Sequence, residues 1–300
     1  MLELRKIPEG FQLIFKGKKI LAHSIKGPCV ELGCGEEEFR PQRKNQGFFK
    51  PRDRDLKLYP LKRVEILENT DHQLLLQFEG ILNLEIALNA HNQLEIMPKI
   101  INKNKASQNY NRFSLFLPAK KEEKIYGCGE QFSKLNLQGQ KVPLWSQEPG
   151  LGRDHSIYAL LANLYAGAGG KWHTTYYPQC GFVSSANYFV YVDNYAYSIF
   201  DFKKKGYHRL HFWDIPKKFI IDFQPSAAET LSSLSNSLGK QPPLPDWAID
   251  GVWLGIGGGL DESNRWSVPQ KLKRAEENNV KVSAIWSQDW TGLHSPSKLE

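Results

Sequence analysis

Cysteine is scarce in this chain: Cys29, Cys34, Cys128 and Cys180 are the four in 300 residues. That is too few for a disulfide scaffold. There is no C-x-x-C pair, and the 8 histidines form no H-E-x-x-H. A structural or catalytic metal site is therefore not expected, and the cysteines read as reduced thiols used as small apolar residues. No run approaches ~18 consecutive apolar residues, so no membrane-spanning helix and no membrane partner are expected. The start, MLELRKIPEGFQLIFKGKK, carries charge where a signal peptide needs an unbroken apolar stretch, which points to a cytoplasmic chain.

What is present supports a large folded core. Hydrophobic residues make up 41% and charged residues 24%, which excludes wholesale disorder. The formal charge is +7, and much of it lies between Arg40 and Arg63. Such a run could release counterions from phosphate. Asp53 and Asp55 interrupt it and no nucleic-acid motif accompanies it, so it reads as a solvated loop with no nucleic-acid partner.

The first ~225 residues alternate apolar and polar side chains again and again, the period of strands. Phe11, Leu13 and Phe15 open the series. Leu74, Leu76 and Phe78 continue it, then Leu82, Leu84, Ile86 and Leu88, and Phe113, Leu115 and Leu117. Tyr195, Tyr197 and Ile199 follow, and Phe219, Ile221 and Phe223 close it. Their polar neighbours, among them Gln12, Gln73, Asn83, Glu85, Asn89, Ser114 and Asp222, are expected to face solvent. His208 and His211, three apart in such a run, should point to opposite faces. Many strands without intervening helices predict a large β-sandwich.

The pattern then changes. Pro225-Ser226-Ala227-Ala228-Glu229 has the form of a capping box, with Leu231, Leu234 and Leu238 at helical spacing and Gly239 placed to end the helix. The connector QPPLPD, Gln241 to Asp246, cannot continue a helix, which sets domains at 1–240 and 241–300. A strand over Ile249–Ile256, a glycine-rich turn, a helix capped by Ser267 with Gln270 and a second strand over Lys281–Gln288 predict one βαβ unit. The second strand, VKVSAIW, is nearly apolar, as suits a parallel strand buried on both faces.

Three places could carry chemistry. The turn Gly255-Ile256-Gly257-Gly258-Gly259-Leu260 invites a dinucleotide reading, with Asp289 at the end of the next strand. Leu260 replaces the third glycine, and DESNRWS separates the turn from the helix, so no helix N-terminus meets a pyrophosphate. No nucleotide cofactor is expected. The second place is the strand end Trp286-Ser287-Gln288-Asp289-Trp290. Carboxylate and amide groups hold sugar hydroxyls and tryptophan faces stack on sugar rings; otherwise Asp289 caps a turn and the tryptophans pack. The third pairs YGCGEQF (126–132) with PLWSQEPGLGR (143–153), a shaped loop on a rigid sheet.

These segments, with YYPQCGFVS, LPDWAIDGVWLGIGGG and VKVSAIWSQDWTG, together resemble glycoside hydrolase family 31, in particular its sulfoquinovosidase-like α-glucosidases. The likeness runs from about Pro28 to Gly292 with the motifs in order. It implies an N-terminal galactose-mutarotase-like β-sandwich followed by the first βαβ unit of a (β/α)8 TIM barrel that this chain does not complete. The Pro143–Arg153 loop would reach toward the barrel mouth.

The resemblance further implies a retaining α-glycosidase using two aspartates ~5 Å apart. Both fall on later barrel strands beyond residue 300, so no catalytic residue is named here and the 300 residues alone are expected to be inactive. What carries over is substrate contact. Gln288 matches a family Gln or Glu that holds sugar hydroxyls, and Asp289 matches an aspartate at the same strand end. Trp286, Gln147 and Glu148 are further candidate substrate-binding residues. Gly257 stands where a long Gln or Lys is usual. No cofactor or metal is implied. The substrate could be an α-glucoside or a sulfoquinovoside, and the protein could be a homo-oligomer or pair with a separate catalytic fragment. A non-catalytic carbohydrate-binding module and an inactive truncated product remain open.

Overall fold

The computed structural model describes residues 2–41, 49–70, 72–101, 109–147, 156–165, 170–257 and 267–288. Two compact units divide the chain, residues 1–239 and 240–300.

The larger unit begins with β1 (Leu2–Ile7), β2 (Gly10–Phe15) and β3 (Lys18–Ser24), an antiparallel sheet of its own. A long hairpin, β4 (Val30–Pro41) and β5 (Phe49–Pro60), precedes the meander β6 (Val64–Asn69), β7 (Gln73–Phe78), β8 (Leu82–Leu88) and β9 (Leu94–Ile100). Next come β10 (Arg112–Pro118), β11 (Ile125–Gly129), β12 (Lys141–Leu144) and helix α1 (Ile157–Tyr165). Strands β13 (Pro178–Ser184), β14 (Tyr188–Asp193), β15 (Ser198–Asp201), β16 (Tyr207–Phe212) and β17 (Lys218–Phe223) lead into α2 (Ala227–Leu238).

Among the described residues, one sheet has the order β12-β15-β16-β10-β4-β5 and another β11-β13-β14-β17-β9-β8-β7-β6. Every described pairing in both is antiparallel. Their inner faces share one apolar core, to which Leu32, Phe113, Leu115, Leu210 and Phe212 come from the first sheet and Leu76, Leu84, Ile96, Val190 and Ile221 from the second. Period-2 alternation produces this, because one face of each strand is apolar.

Several expectations about faces need correction. Ser114 and Asp222 are fully buried rather than solvent-facing. The outer face around Ser114 is itself covered, and Asp222 accepts from Lys16 Nζ (2.6 Å), Ser233 Oγ (2.6 Å) and Gln224 Nε2 (2.6 Å). The phase near residue 199 is the reverse of that read from Tyr195, Tyr197 and Ile199. Ser198 and Phe200 point into the core, and Tyr195 is 88% exposed. His208 and His211 do lie on opposite faces: in the pairing of β16 with β10, His208 is level with the core residue Leu117 and His211 with Ser114. All four cysteines are free thiols.

Helix α2 starts as its capping box requires. Ser226 Oγ accepts from the Glu229 amide (3.3 Å), and the Ser226 hydroxyl donates to Glu229 Oε2 (2.7 Å). Its buried residues are Thr230 and Ser233, whereas Leu231 is 53% exposed. A polar network replaces the expected leucine stripe: Ser233 meets Asp222, and Gln93 Nε2 donates to Ser233 O (2.8 Å).

The smaller unit holds a short 3-10 turn (Asp246–Ala248), β18 (Val252–Gly257), α3 (Val268–Glu277) and β19 (Val282–Gln288). The two strands pair in parallel, so a βαβ arrangement is present, with β18 starting three residues later than expected. Ser267 caps α3 through the Gln270 amide (3.4 Å). Strand β19 is not buried on both faces, since Ile285 is 41% and Trp286 61% exposed. Two strands and one helix supply too little cover for a fully apolar strand.

Among the described residues, no helix is long and apolar enough to cross a membrane.

Candidate functional site

In the smaller unit, the parallel register sets Gly257 beside Gln288 and Gly255 beside Trp286 at the carboxyl ends of β18 and β19. That edge is where strands feeding into loops gather ligand groups in α/β folds. A Cβ added at Gly255 would lie 3.6 Å from Trp286 Cε3, so the indole lies against a glycine backbone. The ring is 61% exposed and its face is available. Asp289 lies outside the described residues.

In the larger unit, three chain segments far apart in sequence meet. Gln147 N donates to Thr175 O (3.0 Å), and Ser146 forms a parallel bridge with Thr175 while its hydroxyl donates to Tyr176 O (2.9 Å). Thr175 Oγ1 donates to Glu130 Oε2 (3.4 Å), and Glu130 N donates to Tyr177 O (2.9 Å). The turn before Glu130 bends through Cys128 at φ 61° and Gly129 at φ 86°. A Cβ on Gly129 would sit 2.1 Å from Tyr177 O, so only glycine permits the approach. Gln147 is half-buried, while Tyr176 and Tyr177 are 60% and 63% exposed. Glu148 lies outside the described residues.

Trp145, two residues before Gln147, belongs to an aromatic cluster. Its ring centroid is 5.3 Å from Phe39 and 6.2 Å from Tyr197, and Tyr197 stands 4.7 Å from Trp213. Beneath Trp213 lies the guanidinium of Arg112, 4.6 Å from the ring centroid and fully buried. Arg112 Nε donates to Asp53 Oδ1 (2.8 Å) and Nη1 to Asn111 O (2.8 Å). His211 completes the group, 3.9 Å from Asp53 Oδ2 and 3.0 Å from Ser114 Oγ. Burial pushes the Asp53 carboxyl up, but His211 and Arg112 outweigh it and hold the group below the usual carboxylate range. Burial also drives the Tyr197 phenol up to about 12. Thus Asp53 anchors the hairpin that was expected to be a solvated loop.

Glu130 was part of a quoted motif and Thr175 was not; Asp53 and His211 stood out only as an interruption of the basic run and as one of two opposite-facing histidines, with no link to their partner Arg112. The one signal available was Arg112 at the head of a core strand, where a lone charge demands a partner.

No protein-family model matches the chain. It is 35% identical to the sulfoquinovosidase of Escherichia coli and 31% identical to that of Agrobacterium fabrum, each over 96% of this chain. The chain spans 41% of the length of these curated relatives. A crystallised family 31 sulfoquinovosidase from E. rectale, bound to an aza-sugar inhibitor, superposes with a TM-score of 0.82 at 34% identity, over 97% of this chain and 41% of that one. In sequence and in fold the chain resembles the N-terminal portion of sulfoquinovosidases of glycoside hydrolase family 31.

Proposed function

We propose that this chain is the N-terminal part of a retaining α-glycosidase that hydrolyses α-sulfoquinovosides or α-glucosides in the cytoplasm. The observation that carries the reading is the 35% identity to a sulfoquinovosidase sustained over 96% of the chain. The larger unit is then the galactose-mutarotase-like sandwich, and β18-α3-β19 is the first part of a (β/α)8 barrel.

In this reading Gln288 and Asp289 hold sugar hydroxyls and Trp286 offers an apolar face to the ring. Within the larger unit, Gln147 and Glu148 are separately proposed as sugar contacts. Gly257 has no side chain to donate or accept, so one hydrogen bond usual in the family is missing and a neutral glucoside remains an admissible substrate. The nucleophile and the acid/base, two carboxylates about 5 Å apart in a retaining mechanism, belong to later barrel strands.

Aryl α-sulfoquinovoside and aryl α-glucoside test this directly. Residues 1–300 should release no aryl alcohol, and a polypeptide extended by the part corresponding to the rest of the relatives should release it with retention at the anomeric carbon. Turnover by residues 1–300, or inversion by the longer protein, would overturn the proposal. The half-buried Trp145 platform favours a second reading, sugar binding without chemistry. Under it, residues 1–300 should bind free sugar and lose that binding on Trp145→Ala or Gln288→Ala.

A further inference from the structure

A cavity of about 270 Å³ lies in the larger unit, and none of the residues placed in the sugar site lines it. Its walls are Ile20 from β3, Leu117 from β10, Tyr188 and Val190 from β14, and Ile221 and Phe223 from β17. All but the half-buried Phe223 are buried core residues. The mouth is formed by Pro118, Ala119 and Gly206, with Lys18, Lys19 and Lys120 around it. These three lysines are exposed, and among the described residues no ion pair engages their ammonium groups. A second groove, of about 770 Å³, shares Lys19, Pro118 and Gly206 and adds Lys26 and Lys62, while its one carboxylate, Glu31, is paired with Arg209 at 3.0 Å.

The cavity has a single carboxylate of its own, Glu123, and its oxygens are already engaged. Oε1 accepts from Ser184 Oγ (2.5 Å), Oε2 accepts from the Lys120 amide (2.9 Å), and His208 Nε2 lies 3.6 Å away. A second anion is therefore repelled from the depth and attracted to the rim, while the depth offers hydrocarbon. We propose that this cavity binds a small amphipathic anion, an alkyl carboxylate or alkyl sulfonate, with its head at Lys18, Lys19 and Lys120 and its chain inside. The volume falls just below the roughly 300–1,000 Å³ of common ligand pockets, which suits one short chain and excludes an oligosaccharide or a two-chain lipid.

Calorimetric titration of residues 1–300 with octanoate and with octanesulfonate is the test. Both should bind saturably at one site and weaken as NaCl is raised, whereas 1-octanol should bind at least about tenfold more weakly, one decade in Kd. Lys19→Glu with Lys120→Glu should weaken octanoate by about tenfold or more, and both positions are exposed, so the fold survives the change. Ala119→Trp should close the mouth and abolish binding. Vesicles of phosphatidylglycerol should not compete, because their paired chains exceed the cavity. Absence of saturable octanoate binding, equal binding of octanol, binding unchanged in both variants, or displacement by the vesicles would each overturn the proposal.

Discussion

Arg112 shows how much one residue can depend on its neighbours. Its side chain is fully buried; Asp53 is the nearer of its two carboxylate partners, Glu37 stands 3.6 Å from Nη1, and Asn111 O and the face of Trp213 complete its surroundings. Removing one partner of a buried pair costs about 3–5 kcal/mol when nothing else compensates the charge, and the half-exposed Glu37 offsets only part of that here. Asp53→Asn should therefore lower the urea midpoint sharply, while Lys281→Ala, which breaks an exposed ion pair with Asp250, should change stability by less than about 1 kcal/mol. Glu123 makes a pH prediction. Burial opposes its ionisation, yet His208, Ser184, Tyr188 and the Lys120 amide win and bring the carboxyl down to about 2. The unfolded chain then binds more protons than the folded one between the usual glutamate range and about pH 2. Stability from this group is complete above the usual range and is lost as pH falls through about 2, on the order of 3 kcal/mol. Urea midpoints measured across that window should slope less steeply in Glu123→Gln than in the parent chain.

At the scale of elements, α2 is attached by its polar side. Ser233→Ala removes a hydroxyl shared by Asp222 and Gln93, two buried groups, and should cost about 1–3 kcal/mol. Leu231→Ala, at an exposed position, should stay within about 0.5 kcal/mol. Equal effects in chemical denaturation would contradict this account of the helix. The capping boxes were legible because a cap is local: Ser226 and Glu229, or Ser267 and Gln270, are only three residues apart. The buried face of α2 was not legible, because leucine spacing records what a helix could bury and a carboxylate on another strand decided what it does bury. The same holds at Ser198 and Phe200. The run from Tyr195 to Ile199 alternates in both phases, and only pairing with β16 selects one.

For the molecule as a whole, the described core belongs to one unit. Every residue of the main apolar cluster lies between Leu2 and Ile221. A chain ending at Gly239 should consequently keep the urea midpoint of residues 1–300, monitored by tyrosine and tryptophan fluorescence. A peptide of residues 240–300 should lack a cooperative transition, since its Trp247, Trp253 and Trp286 are 54%, 58% and 61% exposed and a two-stranded sheet does not stand alone. A large drop in the midpoint on truncation would mean that the smaller unit supports the sandwich.

Strand content, the caps, the βαβ connection and the kinship with family 31 sulfoquinovosidases were all set by the sequence, since each is written in spacings of two to four residues or in ordered motifs. The tertiary structure alone decided which polar side chains went inside. Asp53 with Arg112, Asp222 with Lys16 and Ser233, and the meeting of Glu130, Gln147 and Thr175 join positions from about 11 to more than 200 residues apart. Burial of a charge is tolerated only where a partner arrives, and that arrival depends on how the sheets pack rather than on any local pattern.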